Sequence, residues 1–143
     1  MGKKLHDQID KTLLKSLPNP SKEAYEMKIK IPECTFLGVQ EQPDFATIYL
    51  TFYPGDKIIE LRSLKIYVYQ LRDIIVSYER LLNKVYEDLM ESYDPQRLRM
   101  VMICNPRGGI SSKLTIDSDW KVRGGEEKFS DWGSSKDTWD VVM

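Results

Sequence analysis

The stretch IIELRSLKIYVYQLRD, residues 58–73, begins as a β-branched pair and switches after Ser63 to apolar residues at helical spacing. Glu60, Arg62 and Lys65 stand at the switch. Further on, Lys65, Arg72 and Glu79 recur at intervals of seven, which on one helix, at about 100° per residue, makes a single row. Glu79 falls roughly 80° from the centre of the apolar stripe, beside Tyr78, where a carboxylate sheds part of its water. Most such rows are solvated charged faces. The alternative is recognition. A carboxylate accepts an N–H and an exocyclic amine side by side, the pair that a guanine-like ring presents, through two charge-assisted bonds. In NPRGG, Arg107 precedes two glycines at a strand turn, where backbone approaches a ligand closely and a guanidinium grips a phosphate. An ordinary hairpin turn accounts for the same residues.

The composition narrows the rest. Lys and Arg number 21 against 22 Asp and Glu, a net charge of −1, which exerts no general pull toward nucleic acid or an anionic membrane. No basic stripe with interleaved aromatics is present, so direct nucleic-acid binding is not expected. No apolar run is long enough to span a bilayer, the first residues lack the apolar segment of a secretory signal, and a cytoplasmic protein is expected. With Cys34, Cys104 and the lone His6 far apart, no metal site is expected, and the cysteines read as free thiols.

The elements that must position these groups follow from periodicity. Leu5, Ile9, Leu13, Leu14 and Leu17 predict a short amphipathic helix in an N-terminal arm over residues 1–24. MKIKI alternates as a strand with Pro32 at its break, and FATIYLTFY forms its antiparallel neighbour, ending at PGD. Between Asp56 and Asp94 there is neither Gly nor Pro, and apolar residues from Leu64 to Leu89 recur at helical spacing, as in one long helix or two in sequence. RLRMVMIC and ISSKLTIDSDW then read as a hairpin about NPRGG. The order strand, strand, helices, strand, strand predicts an α+β two-layer domain over residues 25–120, followed by a polar tail over 121–143.

Three segments, QPDFATIYLTFYP, ELRSLKIYVYQLRD and PRGGIS, in this order and spacing, closely resemble the 7-cyano-7-deazaguanine reductases of the queuosine pathway, the single-module nitrile reductases. The similarity spans approximately residues 28–113. The resemblance implies the tunnelling fold, an antiparallel β-sheet with two helices inserted between strand pairs (ββααββ), in a homo-oligomer with sites at subunit interfaces. It implies a purine-like substrate anchored by Glu79, with Glu60, Leu61, Ser63 and Tyr78 completing the base pocket. It further implies NADPH, with Arg62, Lys65 and Arg107 matching the residues that bind its phosphates, and Asp44 as the acid that protonates the intermediate.

The family chemistry also calls for a cysteine just upstream of QPD, whose thiolate attacks the nitrile carbon. In IPECTFLGVQEQPDF that position falls on Leu37 or Gly38, depending on the placement of a one-residue gap. Cys34 is the nearby thiol and the candidate replacement, although four residues of extended chain span about 13 Å. The family histidine beside the pocket glutamate is Tyr78 here. Two readings stand at this point. One is NADPH-dependent nitrile reduction to 7-aminomethyl-7-deazaguanine. The other is a non-reducing homologue that binds a purine- or pterin-like ring or performs acid–base chemistry on it.

Overall fold

A computed structural model describes residues 4–119 and 138–139, apart from the Arg107 side chain. The principal sheet is built on two hairpins. Strands β3 (Met27–Leu37) and β4 (Pro43–Tyr53) pair antiparallel, as do β7 (Arg97–Arg107) and β8 (Ile110–Asp117), and β4 joins the hairpins by pairing antiparallel with β7. Between the hairpins in sequence lie α1 (Leu61–Tyr69) and α2 (Tyr78–Tyr93). This is the expected ββααββ order.

The pleat explains which face carries the core. Along β4, Asp44, Ala46, Ile48, Leu50 and Phe52 are buried on the helix side, and with Leu98, Met100 and Met102 of β7 they pack against Tyr67, Leu71, Leu81, Val85 and Leu89. A one-residue bulge in β3 changes the parity of that strand. Ile31 pairs with Ile48 but Cys34 pairs with Ala46, so odd-numbered residues face the core before the bulge and even-numbered ones after it. Pro32 sits in the bulge, where it has no N–H to lose, and its carbonyl accepts from Thr47 Oγ1 at 2.9 Å. Cys34 and Phe36 thereby enter the core.

The region 58–94 is not one long helix but the other expected arrangement, two helices in sequence, with short strands before and between them. Lys57–Ile59 form strand β5, and after α1 a single 3-10 turn leads into Ile74–Ile75, a short strand β6. The β-branched run Ile74, Ile75, Val76 breaks the helix because it finds backbone partners: Ile75 pairs with Leu37, and Val76 N–H donates to the Leu37 carbonyl at 2.9 Å. Lys65, Arg72 and Glu79 therefore sit on three different elements, and the row inferred from their spacing does not form. The break restarts the helix at Ser77, whose hydroxyl accepts from Arg80 N–H as the N-cap of α2.

The N-terminal arm is also not a helix. It consists of β1 (Lys4–Leu5), two 3-10 turns and β2 (Ser16–Pro18), which pairs antiparallel with β5. Ile9 and Leu14 enter the core while Leu5 and Leu17 stay exposed, so the leucine spacing reflects two separate anchor points rather than a continuous stripe. Of the polar tail over 121–143, only residues 138 and 139 are described. Trp139 lies on the helix-free face of the sheet, edge-on to Tyr49 at 4.9 Å, with Lys28 over its ring.

Candidate active site

The β3–β4 hairpin closes with Leu37 paired to Pro43 and with Gly38 N–H donating to the Gln42 carbonyl at 2.7 Å. Glu41 takes a left-handed conformation, φ 65°, to complete the loop. Just inside this turn stands Asp44, opposite Phe36 and only 5% exposed. The Tyr78 ring packs edge-on against Phe36 at 5.8 Å, which brings the first turn of α2 to the same end of the sheet.

Glu79 belongs to that first turn, where the unpaired N–H groups of the helix favour a negative charge. It is exposed in the single chain rather than half-sunk in the apolar edge, because α2 begins at Tyr78 and Glu79 stands at its end. Cys104 lies within electrostatic range of both acids. It is 1% exposed and pairs with Ala46 across the β4–β7 ladder. Burial pushes its thiol up, a bond with Ser112 pulls it down, and the nearby carboxylates of Glu79 and Asp44 push it up again. Asp44, Tyr78 and Glu79 thus lie at the same end of the sheet.

Cys34 lies deeper in the core. It is 0% exposed, and burial, with a lesser contribution from Cys104, pushes its thiol up to about 12. A group in that setting is a small apolar filler, not an available thiolate. The parity of β3 also separates Leu37 from Gly38. Leu37 follows Thr35 on the outer side, whereas a side chain built at Gly38 would run directly into Gln42 and come 2.5 Å from Asp44 Oδ2. The position that faces the buried acid is Gly38.

The α1 junction is organised by its own backbone. Glu60 is the N-cap, accepting from Ser63 N–H at 2.8 Å and Arg62 N–H at 3.2 Å. The buried Ser63 hydroxyl donates to the Glu60 carbonyl at 2.7 Å and accepts from Lys15 N–H at 2.9 Å. These two side chains fix the direction in which α1 leaves the strand, and their polar atoms are used within the chain. Leu61, Arg62 and Lys65 remain exposed on α1. Leu61 and Lys65, with Leu64, Val68, Tyr69 and Arg72, line a cleft of about 400 Å³ against β3. Arg72 stacks on Tyr69 at 4.6 Å, so the cleft joins an apolar floor to a cationic rim. Arg107 pairs with Ile110 across Gly108 and Gly109, whose φ angles of 62° and 83° make the two-residue turn. The Arg107 side chain lies outside the described residues. Among the described residues no cluster of three or more His, Cys, Asp or Glu is arranged to hold a metal ion.

Two residues of this end escaped the sequence reading. Cys104 had no signal beyond its type, since its closeness to Asp44 and Glu79 depends on β4–β7 pairing. Gln42 donates through Nε2 to Asp44 Oδ2 at 3.2 Å, and its Oε1 is buried with no hydrogen-bond partner among the described residues. Its place in QPD, two residues before the acid, was the available clue.

Comparison with known proteins gives the family and the fold. The QueF-like protein family profile matches residues 43–123. The NADPH-dependent 7-cyano-7-deazaguanine reductase of Gloeothece citriformis is 35% identical over 115 residues, covering 77% of this chain and 81% of the relative. The enzyme of the same name from Sulfurimonas denitrificans is 34% identical over 119 residues, covering 82% and 95%. Among solved structures, the apo archaeosine synthase QueF-Like superposes with a TM-score of 0.59 at 13% identity, over 68% of this chain and 95% of that one, a likeness of fold. With its strand order, its paired hairpins and these relatives in agreement, the chain belongs to the QueF-like family and has its tunnelling fold.

Proposed function

We propose that this chain binds a guanine-like base of the 7-deazaguanine class, in the setting of NADPH-dependent reduction of a 7-cyano group to the 7-aminomethyl base. The observation that carries the reading is the placement of buried Asp44, half-buried Tyr78 and exposed Glu79 at one end of the sheet. Glu79 accepts the ring N–H and the exocyclic amine, the side-by-side donors that a guanine-like edge presents. Tyr78 flanks the ring; Leu61 and the Glu60–Ser63 turn stand at the start of α1, away from Glu79 in the same chain, and would cover the ring from a neighbouring copy. Asp44 is the proton donor at the substituent.

Arg62 and Lys65 fit the phosphates of NADPH: both are exposed cations on successive turns of α1, beside the cleft rimmed by Lys65 and Arg72. Arg107 is assigned to the same task. When bound, NADPH supplies hydride. Exposure of Glu79 and Leu61 in the single chain suits a homo-oligomer in which a neighbouring copy closes the site, and β8, last in the sheet order among the described residues, leaves an outer edge for such a copy. No helix among the described residues is long and apolar enough to cross a membrane, and the free thiols of Cys34 and Cys104 suit a cytoplasmic protein.

A second reading has its own support. Neither Leu37 nor Gly38 supplies a thiol, and Cys34 is buried with its thiol pushed up to about 12, so the chain's own residues favour binding without a covalent adduct. Calorimetric titration with 7-cyano-7-deazaguanine, alongside NADPH oxidation and intact mass, separates the readings. Turnover supports reduction; binding with neither adduct nor turnover supports the non-reducing homologue. Under both, Glu79→Ala weakens base binding by about 2–4 kcal/mol, and a change below about 0.5 kcal/mol removes Glu79 from the role of anchor.

A further inference from the structure

The Gln42 carboxamide occupies the space that a side chain at position 38 would fill. An ideal Cβ at Gly38 would collide with Gln42 Nε2 and Cδ and crowd Asp44 Oδ2. The absence of a side chain there lets Gln42 fold back over the acid, with Nε2 donating to Asp44 Oδ2. The orientation of the amide follows from that contact, since the reverse would set oxygen against carboxylate. It leaves Oε1 buried, unpartnered, and beside a buried carboxylate. A buried acceptor with no donor costs free energy that a ligand donor recovers.

From this we infer that Gln42 and Asp44 form an acceptor pair that selects a base carrying a primary amine, such as an aminomethyl group, over one carrying a nitrile. A nitrile nitrogen only accepts hydrogen bonds, so both acceptors repel it, and no thiol stands at position 37 or 38 to take its carbon. A protonated amine donates three bonds and carries the charge that Asp44 complements. Gln42 is a specificity-determining residue in this scheme, and Gly38 is the position that makes room for it. The inference rests on the base-binding reading of the site in its non-reducing form, in which Asp44 is a carboxylate acceptor rather than the proton donor of nitrile reduction.

The test is calorimetric titration of the full chain with three bases: guanine, 7-cyano-7-deazaguanine and 7-aminomethyl-7-deazaguanine. For the wild type, the aminomethyl base is expected to bind about tenfold or more tighter than the cyano base, the scale of one charge-assisted bond. Gln42→Ala narrows that preference while leaving guanine affinity unchanged, and Gly38→Ala, which displaces the carboxamide, narrows it likewise. The guanine control distinguishes this from general damage to the site, and Gln42→Ala introduces no crowding should Gly38→Ala fold poorly. Equal or tighter binding of the cyano base to the wild type overturns the inference, as does a preference that survives Gln42→Ala. If none of the three bases binds the wild type, the base-binding reading falls and this inference falls with it.

Discussion

Tyr67→Phe tests how the two helices that carry the proposed site are held in register. Tyr67 of α1 is 0% exposed, and its hydroxyl donates to Asp88 Oδ2 of α2 at 2.6 Å. Asp88 is equally buried, and its other oxygen accepts from Lys84 Nζ at 2.8 Å. Burial and the bond to Asp88 both push the Tyr67 phenol up, so it stays a donor through the working pH range. Removing the hydroxyl deletes a charge-assisted bond and leaves a carboxylate oxygen without that donor in the core, at a cost of about 1.5–3 kcal/mol. With a urea m-value of about 2 kcal/mol/M, the unfolding midpoint falls by roughly 1 M. Urea denaturation followed by circular dichroism is the assay, with Asp88→Ala and the double variant completing a mutant cycle. A midpoint shift equivalent to less than about 0.5 kcal/mol, or additive single variants, refutes the assignment of this bond as the brace between α1 and α2.

Two other measurements bear on the remaining buried groups. With Cys34 pushed up to about 12, its thiolate fraction at pH 7.4 is on the order of 10⁻⁵, and Cys104 is also buried and shifted upward. A disulfide-exchange reagent should therefore label neither cysteine rapidly in the native chain and both after denaturation; fast native labelling of Cys34 would reinstate it as a nucleophile. Asp117 contacts Arg97 at 2.6 Å and Arg99 at 3.0 Å. Burial works against its charge, but Arg97, the Asp119 N–H and Arg99 together outweigh it and hold the carboxyl below its ordinary value of 3.8. The folded chain thus releases this proton more readily than the unfolded one, so the stabilisation is present above about pH 4 and is lost as the pH falls through the folded value. Asp117→Asn should lower stability at pH 7 and flatten the acid limb of a stability–pH profile; an unchanged limb would show that other carboxylates carry it.

Local pattern made much of the fold legible in the sequence. The alternation in MKIKI and FATIYLTFY, the GG turn and the closing hairpin depend on side-chain parity and on residues that accept positive φ, both properties of short segments. The motifs QPD, ELRSLK and PRGG single out Asp44, Arg62, Lys65 and Arg107 as candidates from the sequence alone. The helical region was less legible, because Ile74–Val76 fits a helical stripe by hydropathy and leaves it only through backbone bonds to Leu37, a partner distant in sequence. The N-terminal arm was misjudged for a related reason. Leucines at helical spacing carry no information on whether their backbone will find a better partner, and here Ser16–Pro18 found β5.

The sequence by itself determined the family, the order of the elements and the absence of a thiol at positions 37 and 38. These depend on which residues are present and in what order. Only the tertiary structure decided which position faces Asp44, because one bulged residue at Pro32 reverses the side of every residue after it and turns Gly38, not Leu37, inward. It likewise decided that Cys34 is sealed in the core, that Cys104 lies near the acids, and that the Gln42 amide fills the space beside Asp44. Burial and hydrogen bonding are set by pairings across the sheet, and those are properties of the folded chain rather than of any segment within it.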